Sequence, residues 1–181
     1  MTTANKITIL RILLVPVFIF FIYFIEKPYY DIISAGLFIL ISLTDFIDGH
    51  IARKYNQITN FGKFLDPLAD KILVTSALIM LVVAGKFSGI IAVIIIAREF
   101  MVSAIRLVAA STGTVIAAAW SGKIKTTFQM IGIIAIILEK YLIMIFPLPY
   151  NTIFSIIMLV LTLYSGGEYL IKNIKLLDYK S

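Results

Sequence analysis

Long apolar runs constrain this chain more than any other feature of its sequence. An α-helix rises ~1.5 Å per residue, so ~20 apolar residues cross the ~30 Å hydrocarbon core of a bilayer. Six stretches approach that length: 7–25, 32–55, 61–84, 90–110, 124–146 and 153–170. Breakers separate several of them, namely Glu26-Lys27-Pro28, Gly85-Lys86, Ser111-Thr112-Gly113 and Pro147-Leu148-Pro149. Six crossings use about two-thirds of the chain, which leaves no room for a second domain. The expectation is an all-α polytopic membrane protein with six transmembrane helices, forming one domain over residues 1–181. The first run follows Lys6 and Arg11 in the manner of a signal peptide. It is succeeded by Glu26-Lys27-Pro28-Tyr29-Tyr30, with no small-residue cleavage site, and so reads as a retained helix.

Composition narrows the chemistry. Hydrophobic residues make up 61% of the chain and charged residues 14%, which excludes a disordered chain and argues against a soluble globular domain. The absence of Cys removes disulfides, thiolate metal sites and Cys nucleophiles. A single histidine, His50, argues against multi-histidine metal sites and against a Ser-His-Asp triad. His50 itself reads as a partly solvated neighbour of Gly49.

The net charge of +6 has a topological meaning in a membrane protein. Lys6, Arg11, Arg53, Lys54, Lys63, Lys123, Lys125, Lys172, Lys175 and Lys180 fall on one side of the alternating spans, and only Lys27, Lys86 and Lys140 on the other. Both termini and the loops after the second and fourth spans are therefore expected in the cytosol, and the basic balance calls for no nucleic-acid partner. Trp120 and the pair Tyr29-Tyr30 suit interfacial anchors. Glu139-Lys140 is expected to mark the outer end of the fifth span. Gly166-Gly167 would allow close helix packing or a bend in the sixth. Glu168 suggests no role.

The acidic residues are unevenly placed. Of ten, four lie within 26 positions: Asp45, Asp48, Asp66 and Asp70. An ionised side chain at the centre of a span costs at least ~2.5–3.5 kcal/mol, so such residues are functional by default. Asp45 and Asp48 are three apart and Asp66 and Asp70 four apart, so each pair shares one helix face. If the second and third spans meet in a cytosolic turn near residues 55–60, the two pairs face each other at matching depth. Four carboxylates in so small a space repel unless protonated or neutralised. Lys63 and Lys71 are near, but cannot both reach and leave the site open. Two divalent cations would neutralise the set. The donors are all oxygen, which selects Mg²⁺ or Mn²⁺, a pair suited to phosphoryl-type transfer. Gly49 and the small Ala52 leave room for a ligand, and Arg53 offers a planar fork for phosphate oxygens. Gly62 suits a tight entry to the third span. Pro67 either opens that helix behind Asp66 as a cap or kinks it.

The pattern Asp45-x2-Asp48-Gly49-x2-Ala52-Arg53-x8-Gly62-x3-Asp66-x3-Asp70 resembles, without a departure, the signature of the CDP-alcohol phosphotransferase family. The resemblance implies a six-helix membrane enzyme, a homodimer, that joins an alcohol to the phosphatidyl group of a CDP-linked lipid and releases CMP. It implies that Asp45, Asp48, Asp66 and Asp70 hold two divalent ions, with Asp70 also the general base. It places Gly49, Ala52 and Arg53, with Asp48 and Gly62, at the cytidine diphosphate site.

Further motifs bear on the acceptor. Arg98-Glu99 lies inside the fourth span, Arg106 is two turns on at nearly the same face, and Lys123 and Lys125 open the fifth span. Folded together, Arg98, Arg106, Lys123 and Lys125 would make a basic pocket for an acceptor phosphate. Otherwise Arg98 pairs with Glu99 as a structural contact and the lysines only set topology. Ala97-Arg98-Glu99, Gly122-Lys123-Ile124-Lys125-Thr126-Thr127, Phe64-Leu65-Asp66-Pro67-Leu68-Ala69-Asp70-Lys71 and Asn5-x-Ile7-Thr8-x2-Arg11 resemble the bacterial branch of the family that uses glycerol phosphate. That branch often has Pro where Ala4 stands here. The resemblance implies that Asn5 and Thr8 help hold the nucleotide. Their spacing with Arg11 equally suits a polar anchoring strip. The expected substrates are CDP-diacylglycerol and sn-glycerol 3-phosphate, and the expected place is the cytoplasmic membrane, with the active site facing the cytosol. Inositol phosphate, serine and phosphatidylglycerol are the competing acceptors. A cation transporter is the competing class, since intramembrane carboxylates also mark ion paths. It leaves Gly49 and Arg53 without a purpose.

Overall fold

The computed structural model describes the backbone of residues 3–54, 60–111, 116 and 119–173, and the side chains of 6–44, 68–69, 71–110, 116 and 119–173. Among the described residues every regular element is an α-helix: α1 (Thr3–Tyr23), α2 (Tyr30–Lys54), α3 (Asn60–Val83), α4 (Gly89–Ser111), α5 (Trp120–Ile137), α6 (Glu139–Ile145) and α7 (Tyr150–Asn173). By length and apolar composition, Lys6–Tyr23 and Tyr150–Asn173 are each able to cross a membrane, and α5 with α6 adds a third if the bent pair is one crossing. Tyr30–Thr44 and Lys71–Val83 are shorter apolar helical stretches.

Helix ends follow the breakers. Gly85 closes α3 in the left-handed region, at φ 69°. Its N–H reaches the Val82 carbonyl at 3.0 Å and the Lys86 N–H reaches Leu81 at 2.9 Å. This is a Schellman closure, which a residue without Cβ adopts at no steric cost.

The fifth segment departs from expectation. In place of one span over residues 124–146, α5 stops at Ile137 and α6 turns away by 82°. The charged pair Glu139-Lys140 sits at the break. Two polar ties hold the turned helix. The Asn151 N–H, in the first turn of α7, donates to Glu139 Oε1 at 3.1 Å, and the Tyr141 hydroxyl donates to Asp31 Oδ1 at 3.3 Å. Asp31 in turn lies buried in the first turn of α2, where the helix dipole favours a carboxylate.

Packing divides the bundle into two halves. α1 lies along both α2 and α3, α5 runs along α7, and α4 bridges α3 and α7. The main apolar cluster draws Val15 and Phe18 from α1, Phe38 and Ile41 from α2, Leu73 and Leu78 from α3, Ile95 from α4, Ile133 from α5 and Met158 from α7. Beyond it, toward the end of α2 and the start of α3, several buried positions are polar: Thr8 and Arg11, then Lys125 and Gln129, then Thr162 and Ser165. Because chain direction alternates, these residues belong to one end of the bundle, the end that carries the four aspartates. A buried polar group costs several kcal/mol unless bonded. The same end also holds a smaller apolar cluster, Val102 and Ile105 of α4 with Tyr169 of α7, so polar and apolar residues are buried there side by side.

Candidate active site

α2 runs unbroken through Asp45, Asp48, Gly49, Ala52 and Arg53. α3 begins at Asn60 and runs unbroken through Gly62, Asp66 and Asp70. The side chains of these residues, and those of Asn5 and His50, lie outside the described residues. The helix limits still give their levels. Asp48 stands six residues before the end of α2 and Asp66 six after the start of α3, a rise of ~9 Å in each case. Asp45 and Asp70 lie one turn deeper, at ~14–15 Å. The two aspartates of each helix therefore stand at similar distances along the chain from the ends that α2 and α3 turn toward residues 55–59. Pro67 lies well inside α3, so of the two placements open to it the helix interior is the one adopted, and Asp66 is not a cap. Among the described residues no group of three or more His, Asp or Glu side chains is placed to hold a metal.

Beside this end of α3, α4 presents Arg98, Glu99 and Ser103. The Lys71 ammonium, one residue after Asp70, donates to the Ser103 hydroxyl, which donates to the Glu99 carbonyl at 2.7 Å. The Glu99 carboxylate receives two cations on the same oxygen, Oε1: the Lys125 ammonium from α5, and Arg98 at 3.3 Å. Arg98 also donates to Ser165 Oγ on α7, at 3.0 Å. Gly166 makes room for it. A Cβ there would stand 3.1 Å from Arg98 Cγ. Lys125 is 1% exposed and Gln129, one turn on, is 3% exposed.

The polar strip of α1 meets α2 next to Asp45. Thr8 and Arg11 are buried, and the Arg11 guanidinium donates through Nε to Thr44 Oγ1 at 3.3 Å, one residue before Asp45. The four basic residues expected to gather do not all do so. Arg98 and Lys125 converge on Glu99. Arg106 lies nearer the end of α4, over the Tyr169 ring at 5.6 Å. Lys123 lies over Trp120, 5.3 Å from its ring, the arrangement of an interfacial anchor.

Sequence reasoning left several members of this half-bundle without a role. Ser103, Gln129, Thr162, Ser165 and Tyr169 all line it. Thr162, Ser165 and Tyr169 recur at three- and four-residue steps along α7, a helical stripe legible beforehand. The hydroxyls of Thr162 and Tyr169, Gln129 Nε2 and Arg98 Nε are buried without a hydrogen-bond partner among the described residues. Such groups mark places where water or ligand completes a site.

Residues 1–164 match the model of the CDP-alcohol phosphatidyltransferase family. The chain belongs to this family. Its relatives agree. A Bacillus subtilis (strain 168) protein named CDP-diacylglycerol–glycerol-3-phosphate 3-phosphatidyltransferase is 42% identical over 180 residues, covering 93% of each chain. A Rickettsia bellii protein of the same name is 43% identical over 74% of each chain. One from Salmonella typhimurium is 37% identical over 70% of this chain and 71% of its own. The family signature of four aspartates thus falls on α2 and α3 of this phosphatidyltransferase, at the polar end of the bundle.

Proposed function

We propose that this enzyme transfers the phosphatidyl group of CDP-diacylglycerol to sn-glycerol 3-phosphate, giving phosphatidylglycerophosphate and CMP. The observation that carries the reading is family membership over residues 1–164 together with relatives of that activity matched over nearly the whole chain. The buried cations at the aspartate end of the bundle support a phosphorylated acceptor over serine or a neutral lipid alcohol. The whole chain acts as one membrane domain with six spans, as a homodimer in the cytoplasmic membrane. Both termini and the active site face the cytosol, in keeping with the distribution of Lys and Arg.

The donor set suits hard divalent ions. Asp45, Asp48, Asp66 and Asp70 offer only carboxylate oxygens, on the successive helices α2 and α3. They would hold two ions, Mg²⁺ or Mn²⁺, which when bound polarise the diphosphate and neutralise the leaving CMP. The chain's own groups do the rest. Arg53 grips diphosphate oxygens through its planar fork, and Gly49, Ala52 and Gly62 give the cytidine diphosphate close access to the backbone. Asn5 and Thr8 hold the nucleotide from α1. Arg98 and Lys125, which converge on Glu99, draw in the acceptor phosphate. Asp70 takes the proton of the acceptor's primary hydroxyl. That oxygen bonds to the lipid-side phosphorus, the bond from this phosphorus to the bridging oxygen breaks, and CMP departs with the electron pair.

An acceptor panel tests the reading. Purified protein with CDP-diacylglycerol and Mg²⁺ is offered glycerol 3-phosphate, inositol phosphate, serine or phosphatidylglycerol, and CMP is measured. Release with glycerol 3-phosphate alone is expected. Incorporation of serine with none of glycerol 3-phosphate would eliminate it.

A further inference from the structure

Glu99 brings a negative charge between two cations, Arg98 and Lys125. One oxygen of its carboxylate, Oε1, accepts from Lys125 on α5 and from Arg98 on its own helix. Its backbone carbonyl accepts from Ser103, whose hydroxyl also receives Lys71. The residue after Asp70 is therefore tied, through one hydroxyl, to the residue that gathers the acceptor cations. Arg98 is fixed on two further sides, by Ser165 Oγ at 3.0 Å and by Gly166 packed against its stem.

We infer that Glu99 is a positioning residue of the acceptor site: its carboxylate holds the Lys125 ammonium and the Arg98 guanidinium as one cationic pair that receives a phosphate monoester. This rests on the functional reading above. Two cations this close repel each other, and the Lys125 ammonium, 1% exposed, is held in place by the Glu99 carboxylate that faces it. One carboxylate oxygen between the two cations holds them side by side. The Arg98 Nε is buried with no partner among the described residues. Glu99 touches no reacting atom in this scheme and acts through its two partners.

The test is a double-mutant cycle on steady-state constants. Glu99→Gln is expected to raise the KM for glycerol 3-phosphate by at least about tenfold, the cost of losing a charged hydrogen bond, with the KM for CDP-diacylglycerol unchanged. Lys125→Met does the same, and the double variant is no worse than Lys125→Met alone, because the two act as one unit. Equal rises for both substrates, or effects that multiply in the double variant, would overturn the inference. Should Glu99→Gln fail to accumulate, Glu99→Asp keeps the charge but falls one methylene short, and gives the same acceptor-specific split at smaller size. Thermal stabilisation by inorganic phosphate reads the same cations without turnover. If wild-type protein ignores glycerol 3-phosphate yet gains stability from phosphate in a Glu99-dependent way, the functional reading falls and this inference stands. Wild-type turnover with phosphate stabilisation indifferent to Glu99 leaves the functional reading standing and overturns this inference. No turnover with no stabilisation removes both.

Discussion

Lys125 on α5 and Glu99 on α4 form an ion pair in which the lysine is almost wholly enclosed. Breaking such a pair from one side strands a charge, whereas replacing both members removes the desolvation cost with the attraction. Lys125→Met alone should therefore lower stability by roughly 3 kcal/mol, the low end for a buried pair because Arg98 still faces Glu99. Glu99→Gln with Lys125→Met should recover most of that. Thermal unfolding in detergent measures both. A single variant that melts with the wild type would show that the pair contributes nothing to the fold.

Neighbouring glycines on α7 should behave differently. A methyl at Gly166 meets Arg98 Cγ at 3.1 Å, while one at Gly167 meets nothing within 4 Å. Gly166→Ala should push the Arg98 side chain off its seat, with a strain of about 1–3 kcal/mol and a weaker grip on the acceptor. Gly167→Ala should be neutral or stabilising by up to about 1 kcal/mol, since alanine is the better helix former. Parallel melting curves and acceptor KM values separate the two. Equal behaviour would mean that the Arg98 contact does not constrain this site.

Much of the fold is legible in the sequence because apolar run length alone fixes where a membrane helix can lie. The fourth run, 90–110, corresponds to Gly89–Ser111, and Gly85 ends α3 where the breaker stands. The break at Leu138 is legible only through the charged pair Glu139-Lys140, expected to mark the outer end of the fifth span, while the turn of α6 is not. Residues 141–146 are as apolar as those before them, and what turns α6 aside is a pair of contacts, Glu139 to Asn151 and Tyr141 to Asp31. The candidate site shows the same division. Spacing puts the aspartates on two successive helices, and α2 and α3 do run through those positions. It does not separate Lys125, which turns inward to Glu99, from Lys123, two residues away and lying over Trp120. Nor does it single out Ser165 or Thr162, because small polar residues in an apolar helix serve packing as readily as binding.

Glu139 is expected to matter for architecture and not for chemistry. It accepts the Asn151 N–H at the start of α7. Glu139→Ala should cost about 1 kcal/mol, the usual value of a helix cap, and leave both KM values unchanged. Unfolding curves together with kinetics check this. A shift in either KM would mean that the α6 turn reaches the active site.

The aspartates carry the strongest prediction for catalysis. Asp70→Asn should abolish CMP release while the helical content stays intact, since on the proposed function the variant loses both a proton acceptor and a metal ligand. Asp45→Asn, Asp48→Asn and Asp66→Asn should each lower turnover by at least about 10²-fold, as loss of a charge-stabilising group does elsewhere. Circular dichroism and CMP release on the same preparations decide it. Near-normal turnover by Asp70→Asn would remove its role as base.

Metal-dependent transfer to glycerol 3-phosphate is tested most directly by CMP release from purified protein given CDP-diacylglycerol and that acceptor, before and after chelation. Release should be matched one-for-one by phosphatidylglycerophosphate, lost on removing divalent ions and restored by Mg²⁺ or Mn²⁺. Release that persists in chelator, or that proceeds at the same rate with no acceptor present, would contradict it.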